Sequence, residues 1–331
     1  MNREYSPVWV IAEQINGQLL PVSLQLIGKA KALADGLGTH LDAVLLGEKV
    51  TGLCDQLIAA GADCIYAGDN TCFRDYHPQI FTATLVDLIQ KHNPEIVLLG
   101  STFMGRELAP LLAAKLGTGL TAHCVELILD QEMHLVQKIP AYGGFMSIVC
   151  PERKPQMATV AQGVFQIPSV DKNRTGKIIT IEPPEEITSR LEILEIVRQE
   201  QTGVDLESAR TVVAGGAGAG DQVGWEQIVE LANVLDAGLG STRPVVDAGW
   251  AGIETMIGQS GKMVKPEIYI GVGLSGEQQH MVGVTGAKFM LAINIDPKSP
   301  VFKKVDIGVV ADCQEFLPIL IDKLKKYKKK G

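Results

Sequence analysis

The chain has 331 residues, 46% of them apolar and 21% charged, with a net charge of −8; that length suits two domains of roughly 100–200 residues, and the apolar share fills two cores. The negative balance argues against general binding to nucleic acid or an anionic membrane, since phosphate-rich partners need a positive surface. Six scattered cysteines (Cys54, Cys64, Cys72, Cys124, Cys150 and Cys313), with no C-x-x-C pair, support neither an iron–sulfur cluster nor a structural zinc, and they fit a reducing compartment.

The opening Met1-Asn2-Arg3-Glu4-Tyr5 lacks the apolar stretch of a signal peptide, and no run of about 18 apolar residues occurs, so a cytoplasmic protein with no membrane insertion is expected. Along the chain, Pro7 to Ala12 predicts a strand, Pro21 to Leu33 a helix, Leu41 to Leu46 a strand and Leu53 to Ala60 a helix. Cys64 to Ala67 (strand), Ile80 to Gln90 (helix), Glu95 to Leu99 (strand) and Gly105 to Leu116 (helix) continue the alternation. Strands separated by helices imply right-handed crossovers and a mainly parallel sheet covered on both faces. From Cys124 the pattern becomes strands without helices, at 124–129, 134–139, 145–150 and 157–161, expected as an antiparallel addition to that sheet. Cys124 beside His123 is not expected to form a thiolate pair, because neighbours on a strand point to opposite faces.

Residues 168–190, with Pro168, Pro183 and Pro184, and a polar helix-like stretch from Ser189 to Gln201 then suggest a linker. A second alternating unit starts at Arg210: strand 210–214, a glycine turn, helix 223–236, strands near 268–272 and 306–310, and a last helix from Phe316 to Tyr327. The expected architecture is α/β in two domains. An N-terminal domain (1–200) has a mainly parallel sheet with antiparallel additions, and a C-terminal domain (205–331) is Rossmann-like. Six lysines crowd the last nine residues (Lys323, Lys325, Lys326, Lys328, Lys329 and Lys330), which suits a solvated helix end facing the negative pole of the dipole.

The candidate chemistry lies in the second domain. Gly215-Gly216-Ala217-Gly218-Ala219-Gly220 follows a strand and precedes a helix. Its spacing is not G-x-G-x-x-G, no acidic residue follows on a strand about 20 residues later, and no Lys-Ser/Thr completes a P-loop. It serves either as a tight strand-to-helix turn or as a close approach to a nucleotide. Three polar loops follow: Gly240-Ser241-Thr242-Arg243-Pro244, Ile257-Gly258-Gln259-Ser260-Gly261-Lys262, and Gly271 to His280 with Ser275-Gly276 before a helix start. Loops at the carboxyl ends of strands form the ligand crevice of an open α/β sheet, and N–H groups at a helix start suit a pyrophosphate.

The segments GSTRPVVDAGW, IGQSGKMVKPEIYIGVGLSGEQQHMVG, AINIDPKSPVF and DIGVVAD occur in that order over about 75 residues. Together they resemble the flavin domain of the electron-transfer flavoprotein α subunit, and GSTFMGRELAPLLAAKLGTGLTA extends the resemblance into the N-terminal half. The resemblance implies one FAD per chain. Arg243 would lie over the isoalloxazine ring, its cation favouring the anionic reduced form. Ser260 would offer its hydroxyl near N5 where relatives often have threonine, and His280 would donate toward the carbonyl beside N1. Ile257, Gly258, Gln259, and Ser275, Gly276, Glu277, Gln278 and Gln279 would line the ring and pyrophosphate. Asn294, Asp312 and Cys313 would hold the ribose and adenine end. Thr242 keeps a hydroxyl where a serine is usual, whereas Ala217 stands where many relatives carry an arginine.

The same resemblance implies an electron carrier rather than an enzyme, paired with a smaller β subunit and docking to an acyl-CoA dehydrogenase or similar flavoenzyme. The β subunit would hold AMP or a second FAD, the latter in a bifurcating complex that takes hydride from NADH; Thr118 to Ala122, RPVVDAGW and Ser260 look more like that group. The rival from another class, an NAD-dependent Rossmann oxidoreductase, predicts a glycine fingerprint and acidic residue that are both missing.

Overall fold

The computed structural model describes residues 4–141, 144–184, 191–196, 204, 206, 208–284 and 286–328. The chain divides into two compact units, Met1–Ile196 and Val197–Gly331.

The first unit opens with β1 (Val8–Ala12) and a small hairpin, β2 (Gln14–Ile15) and β3 (Gln18–Leu19). Asn16 and Gly17 take positive φ at its tip, as a two-residue hairpin loop requires. Then come α1 (Pro21–Leu37), β4 (Leu41–Gly47), α2 (Thr51–Ala60), β5 (Cys64–Asp69), α3 (Pro78–His92), β6 (Ile96–Gly100) and α4 (Phe103–Leu116). Both α1 and α3 begin on proline, which lacks the N–H that a first turn cannot use. Thr102 caps α4 by accepting from the Gly105 N–H at 2.9 Å.

After α4 come β7 (Leu120–Cys124), β8 (Glu126–Leu129), β9 (Leu135–Ala141), β10 (Gly144–Val149), β11 (Gln156–Val160) and β12 (Lys177–Thr180). Seven strands make one parallel sheet in the order β12-β5-β4-β1-β6-β11-β7. Its strands β1, β4, β6 and β11 are buried on both faces, so alternate residues feed two cores. Val8, Val10 and Ala12 pack with α1 and α2, while Trp9 and Ile11 pack with α3 and α4.

The antiparallel addition expected over 124–161 is corrected in two respects. Only β8, β9 and β10 are antiparallel, and they form a separate three-stranded sheet in the order β10-β9-β8. The 157–161 segment is a buried parallel strand, inserted between β6 and β7. Gln156–Val160 is buried throughout, as a strand covered on both faces of a parallel sheet is, and its place is set by pairing with β6 and β7. The 124–129 segment splits at Val125, so that Cys124 ends β7 and Glu126–Leu129 form β8. His123 is bulged at φ 60° with its Nδ1 3.0 Å from the Ser101 hydroxyl, and Cys124 is buried with its thiol directed to the Thr121 carbonyl.

The segment 168–190 also holds structure: β12 extends the main sheet beside β5. Of the polar stretch Ser189 to Gln201, residues 191–196 have no regular structure and the rest lies outside the described residues.

At the carboxyl ends of β1 and β6, where the strand order reverses, Glu13 is buried and its Oε2 accepts from the Thr102 hydroxyl at 2.7 Å. Burial pushes its carboxyl up to about 7, against the lowering pull of Thr102 and the Gly100 backbone.

The second unit contains β13 (Thr211–Gly215), α5 (Gln222–Val234), β14 (Gly238–Ser241), α6 (Arg243–Asp247), β15 (Ile268–Val272), α7 (Gln278–Met281), β16 (Phe289–Asn294), β17 (Ile307–Val310) and α8 (Cys313–Lys328). Its five strands are parallel in the order β14-β13-β15-β16-β17. One face, with Val213, Val272 and Ile293, packs on α5 and α8. The other, with Val212, Ala214, Tyr269 and Ala292, packs on Ile257, Val264, Leu274 and Val301. These come from loop segments, so on that face loops do the work of a helix layer. Among the tail lysines, Lys325 and Lys328 pair with Glu230 and Asp236 of the α5 region, and Lys326 pairs with Asp322; Lys329 and Lys330 lie outside the described residues. No helix among the described residues is long and apolar enough to cross a membrane, and among them no cluster of His, Cys, Asp and Glu could hold a metal ion.

Candidate functional site

The strand order of the second unit reverses between β13 and β15, the position where an open α/β sheet leaves a crevice at its carboxyl ends. Here two glycine loops interlock. The Gly216 N–H donates to the Val272 carbonyl at 2.9 Å, and the Gly218 N–H to the Gly273 carbonyl at 2.8 Å. A Cβ on Gly216 or Gly218 would stand 2.4 or 2.6 Å from the Gly273 oxygen. The glycine-rich turn therefore serves the tight packing of backbone on backbone. Beside it lies a small cleft lined by Gly218, Gly273, Asn294, Ile295, Ala311, Asp312 and Cys313.

Around this cleft the side chains are set as follows. The Asn294 amide donates to the Leu274 carbonyl at 2.9 Å and to the Ser299 hydroxyl at 3.3 Å, while its oxygen accepts from the Asp296 N–H. It ties the loop after β16 to the loop after β15. Asp312 is exposed, and its Oδ1 accepts from the Gln314 N–H at the start of α8, leaving Oδ2 for other donors. Cys313 is buried and its thiol donates to the Gly218 carbonyl at 3.2 Å. Burial pushes that thiol up, and the neighbouring Asp312 carboxylate adds to the push, so it stays protonated.

A second group of predicted residues meets through the loops after β14 and β15. The Ile257 N–H donates to the Ser241 carbonyl at 2.9 Å, and the Ser241 hydroxyl lies 2.8 Å from that of Thr255. The Gln259 N–H donates to the Gln279 carbonyl at 2.8 Å. Gly258 is at φ 139°, and its Cβ would stand 2.4 Å from that same carbonyl, so only glycine lets loop 257–262 lie against α7. Thr242 precedes α6 and donates its N–H to Gly215. Arg243 projects into solvent with a side chain 73% exposed, near Asp247 at 3.4 Å. Gln259, Ser260, Ser275, Glu277, Gln278 and Gln279 are all exposed, while Ile257 and Gly276 are buried beneath them. The helix expected after Ser275-Gly276 is α7, a single turn.

His280 is buried, with Nδ1 3.0 Å from the Ile257 carbonyl and Nε2 2.6 Å from the Tyr269 hydroxyl. A carbonyl only accepts, so Nδ1 carries the proton and donates to it; Nε2 then accepts from the Tyr269 hydroxyl. Burial lowers the imidazole to about 4, which keeps it neutral at pH 7. In this arrangement both nitrogens serve the protein, and donation to a ring carbonyl requires the imidazole to exchange a partner. Tyr269 escaped the sequence reading, although its place on an apolar strand within EIYIGVG is a period-two signal for burial. Ser299, also missed, is buried and donates to the Ser275 carbonyl at 3.2 Å.

A dinucleotide fits this donor set. The cleft offers glycine backbone and the apolar Ile295 and Ala311 beside one carboxylate, which suits a base and its ribose. The neighbouring loops offer exposed hydroxyl and amide groups and one solvent-facing guanidinium.

Parallel sheets with polar loops gathered at the carboxyl ends of one of them define a nucleotide-cofactor protein of the α/β class. Family comparison narrows the class. Residues 8–186 match the electron transfer flavoprotein domain, and residues 205–285 match the electron transfer flavoprotein FAD-binding domain. The chain is 40% identical over 328 residues to the electron transfer flavoprotein subunit alpha of Thermoanaerobacterium thermosaccharolyticum, covering 98% of this chain and 99% of that one. It is 40% identical over 330 residues to protein FixB of Clostridium saccharobutylicum, covering 98% and 97%. It is also 36% identical over 320 residues to the LctC subunit of the lactate dehydrogenase (NAD(+),ferredoxin) of Acetobacterium woodii, covering 96% and 76%. The chain belongs to the electron transfer flavoprotein α-subunit family. It is an electron carrier subunit with a flavin-binding domain, and membership of an α-subunit family implies a β-subunit partner and flavoenzyme partners. That membership displaces the nicotinamide-dependent oxidoreductase reading.

Proposed function

We propose that the second unit holds one FAD across the carboxyl ends of β13 to β17, and that the chain passes electrons between a flavoenzyme donor and an acceptor in the cytoplasm. The observation that carries this is the grouping of Arg243, Gln259, Ser260 and the Ser275–Gln279 loop on one side, with Asn294, Asp312 and Cys313 at the cleft. FAD supplies the redox chemistry when bound; the protein supplies binding, orientation and field. Arg243, free of any buried partner, swings over the ring and stabilises negative charge there. Ser260 presents its hydroxyl at the ring edge beside N5. His280 secures the ring-side loop through Ile257 and faces the pyrimidine end of the ring. Ser275 to Gln279 take the pyrophosphate, while Asp312 takes the ribose hydroxyls with the oxygen that α8 leaves to it. Asn294 shapes the adenine end.

The N-terminal domain (1–200) is the part proposed to contact the β subunit, and 205–331 is the FAD-binding domain. The donor is an acyl-CoA dehydrogenase or similar flavoenzyme. Similarity to the A. woodii subunit favours a second reading beside the simple shuttle, in which the β subunit holds a second FAD in place of AMP and takes hydride from NADH. The purified protein should be yellow, with flavin absorption bands. A colourless protein that cannot be reconstituted with FAD opposes the whole reading. Two flavins per heterodimer and reduction by NADH select the bifurcating form, while one flavin and no such reduction select the shuttle.

A further inference from the structure

The segment after Asn294 grips the loop that carries Ser275 and Gly276 from one side. Gly276 is at φ 76°, and a Cβ there would stand 2.5 Å from Cα of Val301, so the loop lies directly on this segment. Two successive carbonyls of the loop are held by it. The Ser299 hydroxyl donates to the Ser275 carbonyl at 3.2 Å, and the Lys304 ammonium donates to the Gly276 carbonyl at 2.9 Å. In a trans peptide the N–H points opposite to the carbonyl before it. The only cis peptide among the described residues is Lys154–Pro155. With both carbonyls turned toward residues 299–304, the Gly276 and Glu277 N–H groups are turned to the other side, as a pair of adjacent donors. Adjacent backbone N–H groups in such a turn make an anion-binding concavity. An ammonium on the carbonyl also polarises the peptide and strengthens the N–H at its far end.

We propose that Lys304 is a positioning residue for the pyrophosphate of the bound dinucleotide: from behind the loop it fixes and polarises the Gly276–Glu277 peptide, so that the Gly276 and Glu277 N–H groups face the phosphates. The first glycine turn has no cation of its own, since Ala217 occupies its middle. Lys304 therefore brings positive charge to the phosphate loop without standing in the ligand's path. The inference rests on the FAD reading above and adds to it a residue from outside the glycine loops.

The test compares the natural protein with Lys304→Met and Lys304→Arg, each stripped of flavin. Binding of FAD and of ADP is measured by calorimetry, and the absorption bands of the FAD-loaded forms are recorded. Methionine keeps an unbranched chain one atom shorter and removes the charge, and arginine keeps the charge on a somewhat longer chain. Losing a hydrogen bond from a charged group should weaken FAD and ADP alike in Lys304→Met, by about tenfold to a hundredfold. Lys304→Arg should stay within a few-fold of the natural protein, and the flavin bands should coincide in all three because the ring is untouched. FAD and ADP binding unchanged in Lys304→Met overturns the role of Lys304 while leaving the FAD site standing. Displaced flavin bands, or a loss that Lys304→Arg does not restore, overturns it in favour of general loop damage. Failure of the natural protein itself to bind FAD overturns the FAD reading first, and this inference with it.

Discussion

Acid should weaken the second unit through His280, and the size of the effect follows from its surroundings. The imidazole sits at about 4 in the folded protein against 6.5 when free. The unfolded chain therefore takes up a proton from pH 6.5 downward while the folded chain does not, and stability falls with pH across that window. The full difference is about 3 kcal/mol, reached once pH drops below 4, at no more than about 1.4 kcal/mol per pH step. Glu13 and Asp42 in the first unit act in the opposite sense. Burial raises them to about 7 and about 6, so their contribution is present at low pH and lost as pH rises. The measurement is therefore a difference between two proteins, in which those contributions cancel. Flavin-free natural protein and His280→Gln are unfolded in urea from pH 8 to pH 4, followed by tryptophan fluorescence, to which Trp225 and Trp250 of the second unit contribute beside Trp9 of the first. Above pH 7 the natural protein should be the more stable, because glutamine cannot bridge Tyr269 and Ile257 in the same way. That advantage should shrink by about 3 kcal/mol on going to pH 4. A difference that does not change with pH would show that His280 titrates as it does in the unfolded chain, and that burial does not hold it neutral.

Three further outcomes are expected. Arg243→Gln should lower the midpoint potential of bound flavin by roughly 40 mV, the equivalent of about 1 kcal/mol for a solvent-screened charge near the ring; a spectroelectrochemical titration with no shift refutes the placement of Arg243. Gly218→Ala puts a methyl group 2.6 Å from the Gly273 oxygen, so thermal unfolding of the second unit should move down by about 1–3 kcal/mol with loss of flavin retention, and an unchanged melt would show that the two loops do not interlock. Glu13→Gln removes a carboxylate whose ionisation is opposed by burial, so it should stabilise the protein by up to about 3 kcal/mol at pH 8 and hardly at all at pH 4; equal effects at both pH values in urea melts count against the raised value.

Much of the fold was legible because its strands are short apolar runs set between helices of ordinary period. β1, β4, β5, β6 and α1 to α4 fall where the sequence places them, within a few residues. Failures came where residue type and environment part company. β14 is Gly238-Leu239-Gly240-Ser241, two glycines in four residues, and it holds as a strand only because β13 lies beside it. β16, Phe289–Asn294, is a continuous apolar run that announces burial without saying strand. The direction of β11 was misread for a related reason. Neighbouring antiparallel strands suggested a meander, and nothing local in Gln-Met-Ala-Thr-Val says that its partners are β6 and β7. Long-range pairing of this kind is written in the whole sheet and in no single segment.

The candidate site divides along the same line. The loops that carry Arg243, Ser260 and Ser275 could be picked out because loops after strands are where ligands meet an α/β sheet, whereas the choice of these residues, and of Asp312, came from the resemblance of the ordered segments to a flavin domain. What holds those loops could not. Gly216 and Gly218 could have served a tight turn or a close approach to a nucleotide, and the space they leave is filled by Gly273. The odd spacing of GGAGAG follows from that: it is set by the register of β13 beside β15 and not by the length of a pyrophosphate. The same reasoning locates the binding groups elsewhere. Because the glycine turns at the strand ends are consumed in packing against each other, the proposed site meets its ligand with what that packing lifts outward, the hydroxyls, amides and N–H groups of Ser275 to Gln279. Their orientation is then decided by residues behind them. Tyr269 and Ser299 lie within the segments that carry the resemblance and Lys304 just beyond them, yet nothing in those segments tells their roles, because each acts on a carbonyl or a ring nitrogen of another residue, and such contacts leave no spacing in the chain.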